Sequence, residues 1–237
     1  MAQQQRAIRT RAAILEAAAS VFDQYGYDAA TIAEILARSE VTKGALYFHF
    51  PSKEDLARGV LRAQTRDLVV GPADWKVQEL IDVTMVVAHR SLHDMILRAG
   101  TRLAVEQGSV DFSDDGPFPV WSRLSEDLLV QAKERGELLP YVNPRETAEL
   151  LVGAWTGIHV YSRVMAGRQD VERRVSVMWE HLLPSMVMPR LLLGLDVAHD
   201  RGARVEAARV LTATETSEAA DTTEAMDRAD GGEPAGG

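Results

Sequence analysis

Large apolar residues recur at three- and four-residue intervals along most of this chain, and no stretch alternates as a strand does. That period is the mark of amphipathic helices. Leu15, Ala18, Phe22 and Tyr25 form a first stripe, predicting a helix from Gln5 to Tyr25 with Gly26 just past its end. Ile32, Ile35 and Leu36 form a second, running to about Arg38 and opened by a capping box of Thr31 and Glu34. Leu46 and Phe50, one turn apart, define a short third helix within VTKGALYFHF, residues 41–50. Thr42 is its N-cap, and Val41 is placed to pack on Leu46 as a hydrophobic staple. Ser52, with Asp55 three residues on, starts a fourth helix that reads through to Val70 and is stopped by Gly71-Pro72.

Beyond Ala73 the helical period continues to Leu195. Leu80, Val83 and Val87, then Met95, Ile96, Ala99 and Leu103, predict two helices meeting near His93-Asp94. Residues 108–119, GSVDFSDDGPFP, read as a loop. A helix from Val120 to Arg135 follows, with Gly136 past its end. Asn143-Pro144-Arg145-Glu146 then supplies N-cap, proline at N1 and glutamate at N3 for a helix reaching Ala166. The last long stripe, Val171 to Leu195, is broken at Pro184 and Pro189. No internal repeat is present.

The second and third helices are joined by only Ser39-Glu40-Val41, the spacing of a helix-turn-helix. With Leu46 and Phe50 buried, the other face of the third helix carries Lys43, Gly44, Tyr47 and His49. Glycine costs about 0.8–1.0 kcal/mol in a helix interior relative to alanine. Gly44 therefore makes sense where a bulky partner approaches the backbone, and free N–H groups beside Lys43 suit a phosphate. This unit is read as a DNA-recognition helix, with three tightly joined helices of an ordinary helical protein as the alternative.

The run from Arg11 to Leu56 resembles the N-terminal domain of TetR-type transcriptional repressors. The residues that carry the resemblance are Ile14-Leu15-Glu16-Ala17-Ala18, Phe22, Gly26-Tyr27, Thr31-Ile32-Ala33-Glu34-Ile35, Val41-Thr42-Lys43-Gly44, Leu46-Tyr47, and Phe50 with Ser52-Lys53-Glu54. Within that family, VTKGALYFHFPSKEDLA is similar to the γ-butyrolactone autoregulator receptors of streptomycetes. The resemblance implies a repressor that binds double-stranded operator DNA as a homodimer, through its last two long helices, and is released by a small diffusible signal. Thr31, Thr42, Lys43, Gly44, Tyr47, His49 and Lys53 are the candidate DNA-binding residues. Thr42, Tyr47, His49 and Lys53 are assigned to position on phosphates and Lys43 to reading a base edge.

Trp121, on the first turn of the helix behind the 108–119 loop, is the candidate cover for an acyl-lactone, because the receptors it resembles use a tryptophan in about this place. Gln64 and Thr156 are candidate polar partners for a lactone carbonyl or hydroxyl, chosen by helix position. The expected signal is a γ-butyrolactone or butenolide. A pseudo-receptor that reads an antibiotic or a biosynthetic intermediate would share these features.

Composition refines this picture. The formal net charge of −9 is unevenly spread: residues 1–66 carry +2, residues 67–211 carry −5 and residues 212–237 carry −6. The segment assigned to DNA is the only net-positive one, which suits a few placed cations and strong salt dependence. Arg6, Arg9 and Arg11 lie just ahead of the first apolar stripe and are open to phosphate contact or plain solvation. No cysteine is present, so disulfides and thiolate metal sites are excluded. No apolar run is long enough for a membrane span and MAQQQRAIRTR lacks the apolar core of a signal peptide, so a cytoplasmic protein with no membrane partner is expected.

His89 and His93, four apart beside Asp94, have a spacing that can hold a metal, but no third ligand and no HExxH accompany them. Neither GxSxG, a phosphate loop nor GxGxxG occurs. The expectation is therefore no enzyme, no catalytic residue, no metal and no cofactor. An all-helical interaction protein or a metal-dependent enzyme remains as a distant alternative. The predicted architecture is all-α: a three-helix helix-turn-helix DNA-binding domain over 1–52, a helical ligand-binding and dimerisation domain over 53–197, and an acidic disordered tail over 198–237.

Overall fold

The computed structural model describes residues 2–64, 70–106 and 116–211. The described residues contain no strand; one isolated antiparallel bridge pairs Leu138 with Val187. The helices are α1 (Ala2–Ala29), α2 (Ile32–Ser39), α3 (Lys43–His49), α4 (Lys53–Ala63), α5 (Lys76–Arg90), α6 (Met95–Val105), α7 (Pro117–Glu134), α8 (Pro144–Ala166) and α9 (Val171–Met186), followed by a 3-10 turn at Pro189–Gly194. A further helix, α10, covers 201–211. No helix of the described residues is long and apolar enough to cross a membrane.

The starts of α2, α3 and α4 are set by local side-chain caps. Thr31 Oγ1 accepts from the Glu34 N–H at 3.2 Å while the Glu34 carboxylate accepts from the Thr31 N–H at 3.3 Å. Thr42 Oγ1 accepts from the Ala45 N–H at 3.2 Å, and Ser52 Oγ from the Asp55 N–H at 3.0 Å. Asp94 caps α6 through the N–H groups of Ile96 and Leu97, and Asn143 caps α8 through those of Arg145 and Glu146.

The first helix starts at Ala2, ahead of the expected Gln5, and its expected break falls at Gly26. A short helical segment follows to Ala29 beyond a kink at Gly26, whose backbone is left-handed in φ (φ 77°, ψ 179°). A Cβ there would also stand 2.6 Å from the Glu106 carboxylate of α6. Tyr25, expected in the core, lies just before the kink and is 39% exposed. Tyr27 is buried instead, stacked on Phe22 with ring centroids 6.0 Å apart. Arg38 covers Tyr25 from outside, 5.6 Å from the ring centroid.

Two apolar cores result. One joins α1–α4, with Phe22, Ile35, Leu46 and Leu56 fully buried, and it includes Ala99 and Leu103 of α6. The other joins α5, α7, α8, α9 and the 3-10 turn around Trp179, whose Nε1 donates to Thr84 Oγ1 at 2.8 Å. Helix α6, although it lies within the second predicted domain, thus packs in the first core, with α1–α4.

Three further differences follow from packing and caps. Helix α7 starts at Pro117 rather than Val120, with Pro117 in the first turn where a missing N–H is tolerated, so Trp121 stands in the second turn. Helix α9 runs through Pro184 to Met186, because only the carbonyl of exposed Glu180 loses its partner so near the end. Residues 201–211, expected within the tail, form α10 against α5. Arg201 makes a two-point ion pair with buried Asp82 (2.8 and 2.6 Å), and Arg90 pairs with Glu206 at 2.9 Å. The expected course of the α4 helix over 65–69, most of the 108–119 loop, and the acidic tail from 212 lie outside the described residues.

Candidate nucleic-acid interface and ligand cavity

Leu46 and Phe50 anchor α3 in the first core, leaving Lys43, Gly44, Tyr47 and Phe48 outward. A Cβ at Gly44 would have no protein atom within 4 Å, so glycine is not required there by the protein's own packing. Lys43 Nζ lies 6.0 Å from the Tyr47 ring centroid. His49 is half-buried, its ring set edge-on to Phe48 at 5.2 Å. Thr31 and Thr42 are exposed at the helix starts beside this surface.

Phe48 was not among the candidates, yet it is 82% exposed on the same short helix. Its position was legible: it stands midway between buried Leu46 and Phe50, about 200° around the helix from either one.

Lys53 differs from its assigned role. Its ammonium donates to the carbonyls of Tyr27 (2.9 Å), Ala30 (3.1 Å) and Asp28 (3.4 Å), and lies 4.5 Å from the Tyr27 ring centroid. The three donors of the ammonium are turned to the end of α1, so Lys53 acts as a strut between α1 and α4 and not as a free phosphate ligand. Arg11 is likewise held inward, over the Phe50 ring at 5.0 Å, while Arg6 and Arg9 are exposed.

The other three candidates meet in one cavity between the end of α4 and helices α5 to α8. Trp121 and Phe118 come from α7, Thr156 and Trp155 from α8, and Gln64 from the end of α4. The lining is largely apolar, with Val83 and Val87 of α5 and Leu151 of α8. Its hydroxyls are mostly engaged: Thr156 Oγ1 donates to the Val152 carbonyl at 2.7 Å and Thr84 Oγ1 to that of Ile81 at 2.8 Å. Gln64 differs. Its side chain is buried against Gly100, where a Cβ would overlap the amide, and its Nε2 finds no partner among the described residues. A buried amide donor without an acceptor is costly, and a ligand oxygen would satisfy it.

Behind the cavity wall, Trp155 stacks on His159 with ring centroids 3.6 Å apart. Burial, reinforced by the nearby Arg168 cation, pulls the His159 pKa down to about 3, so the imidazole is neutral. Of the His89–His93 pair, His89 Nδ1 is 2.7 Å from the Glu172 carboxylate, and the Asp94 carboxylate beside His93 is occupied as the α6 cap.

Residues 14–60 match the family model for bacterial regulatory proteins of the tetR family, and residues 76–188 the tetracyclin repressor-like C-terminal domain. The A-factor receptor protein of Streptomyces griseus is 41% identical over 192 residues, covering 81% of this chain and 69% of its own length. The crystal structure of TylP, a TetR regulator from Streptomyces fradiae, superimposes with a TM-score of 0.78 at 42% identity, over 86% of this chain and 98% of that one. A γ-butyrolactone receptor described as an ArpA-like protein gives a TM-score of 0.66 at 33% identity, over 86% and 99%. With an exposed short helix behind a capped turn and a separate helical domain, this chain belongs to the TetR family of DNA-binding transcriptional repressors.

Proposed function

We propose that this repressor binds a near-palindromic operator as a homodimer in the cytoplasm and is released by a γ-butyrolactone or butenolide signal that controls antibiotic production. The observation that carries the reading is the placement of α4. Its N-terminus, at Ser52-Lys53, abuts the segment that ends α3, and its C-terminus delivers Gln64 into the cavity. A ligand that engages Gln64 acts directly on the helix that supports the reading head.

A mostly apolar cavity with few polar groups fits an amphiphilic signal of low charge. Trp121 covers the acyl-lactone, and Gln64 and Thr156 are its polar partners. Similarity to the A-factor receptor and to a γ-butyrolactone receptor supports this ligand class. On the DNA side, Lys43 reads a base edge, Gly44 allows close approach, and Thr31, Thr42, Tyr47 and His49 fix position on phosphates, joined by Phe48 as an apolar contact. The dimer face lies on α8 and α9, where Leu150, Tyr161, Val164, Met165 and Val177 are exposed. Pairing there places two copies of α3 about 34–36 Å apart, one turn of DNA. Release requires the ligand to bind the non-binding state more tightly, since equal affinity for both states shifts nothing.

The test is a mobility shift on the protein's own upstream region with a γ-butyrolactone and butenolide panel. Release by a panel member is the expected result. Retention with every member would overturn the ligand class while leaving the repressor, and would direct the search to antibiotics and their intermediates.

A further inference from the structure

A second cleft lies between α6 and the C-terminal end of α8, and four guanidinium groups converge on it. Arg98 and Arg102 come from α6, Arg163 from α8, and Arg168 from the turn after α8. Two carboxylates offset them. Asp23 of α1 holds Arg98 at 3.2 Å and Arg168 at 2.7 Å; Glu106 holds Arg102 at 2.7 Å and Arg163 at 3.4 Å. Four cations against two anions leave this group with two positive charges in excess.

Concentrating that charge is unfavourable unless something offsets it. Arg168 shows the cost: its pKa is lowered by burial and by repulsion from Arg98 and Arg163, against the pull of Asp23. Arg168 also adopts a left-handed backbone (φ 73°), a conformation that side-chain-bearing residues rarely take. The cleft contains one more unsatisfied group. His159 is 5% exposed, neutral, and its Nε2 is buried with no partner among the described residues. In the Nε2–H tautomer it is a donor without an acceptor.

We propose that this cleft is a binding site for a phosphate dianion, free or as the terminal group of a small monoester, held by Arg163, Arg168 and Arg98 with His159 as a further donor. A doubly charged anion matches the charge excess, and guanidinium forks match phosphate oxygens in two-point geometry. The site is distinct from the apolar cavity, which is lined mainly by uncharged groups. Since Asp23 draws on two of the same arginines, occupancy also bears on the joint between α1 and the larger half of the protein.

The experiment is calorimetric titration of the full chain, without DNA, with inorganic phosphate and with glycerol 3-phosphate, at ionic strength held constant with chloride. Phosphate can also meet the DNA-reading surface, so Lys43→Met serves as the control for that face. Arg163 is the residue to change, because its one ion pair is the longest of the four, at 3.4 Å. Saturable binding of either ligand, kept in Lys43→Met and weakened about tenfold in Arg163→Met, is the result expected for loss of a charge-assisted contact. Arg163→Lys, which keeps the charge and removes the fork, provides a second comparison should the methionine variant unfold, and is expected to bind more weakly than wild type. No saturable binding of either ligand, or binding that both Arg163 variants leave unchanged, overturns the site. Binding of the monoester alone identifies an organic phosphate as the ligand, and binding of both identifies the free anion as sufficient.

Discussion

The side-chain amide of Gln64 lies over the bare backbone of Gly100, occupying the space that any Cβ at position 100 would fill. Gln64 is therefore placed in the cavity by what α6 lacks. Gly100→Ala is expected to push the amide out and yield a repressor that binds operator normally but needs a much higher signal concentration for release. Gln64→Leu removes the donor without the clash and should behave alike. A mobility shift across a ligand titration checks both; full response in both variants would remove Gln64 from the ligand site.

Trp121 forms part of the same lining from α7, away from the DNA-reading surface. Trp121→Ala is expected to remain bound to operator at signal concentrations that release the wild type, with unchanged affinity in the absence of signal. Fluorescence anisotropy on a labelled operator separates the two quantities.

Phe48 is 82% exposed, so replacing it costs the fold almost nothing. Phe48→Ala should weaken operator binding while leaving urea unfolding unchanged. Lys43→Met should cost about 1–3 kcal/mol and relax the preference at one base pair, the signature of base-edge readout. Uniform weakening of Lys43→Met across operator variants would assign that lysine to phosphate instead.

Lys53 gives a contrasting expectation. Because its ammonium holds the carbonyls of Tyr27, Asp28 and Ala30, Lys53→Met should lower stability by about 1.5–3 kcal/mol, the range for hydrogen bonds to a charged group. Chemical denaturation measures this without DNA. Unchanged stability with a reduced salt slope of operator binding would restore the phosphate role.

His159 makes stability depend on pH in a defined direction. Its folded-state pKa of about 3 lies below the ordinary histidine value of 6.5, so the unfolded chain binds the extra proton between them. Stability from this group is complete above about pH 6.5 and is lost as pH falls toward 3, by at most about 1.4 kcal/mol per pH unit. His159→Phe should show a shallower decline over that window, compared by denaturation at pH 7 and pH 5.

Exposed Val164 and Met165 on α8 test the dimer. A Val164→Glu/Met165→Glu double variant should sediment as a monomer with unchanged helicity and lose most operator affinity. A dimer that survives would place the interface elsewhere.

The sequence by itself determined the helices and most of their starts, together with the helix-turn-helix spacing. The caps at Thr31, Thr42, Ser52 and Asn143 each act within three residues, so nearest-neighbour chemistry suffices to read them. The burial of Leu46 and Phe50 likewise follows from one turn of helix, and with it the outward face of α3. What only the tertiary structure decided depends on partners far along the chain. Gly26 sits where Arg102 and Glu106 come close, and the burial of Tyr27 in place of Tyr25 depends on which surfaces meet around that break. Lys53 turns from DNA to carbonyls 23 to 26 residues earlier, and Arg201 draws α10 out of the expected tail onto Asp82, 119 residues before it. Gln64, Trp121 and Thr156 could be chosen singly from the chain; their meeting on one cavity required the end of α4 and four further helices, α5 to α8, to pack around it. Short-range hydrogen bonds and helical period are written in adjacent residues, whereas burial of a charge or an amide depends on which distant surface arrives to satisfy it.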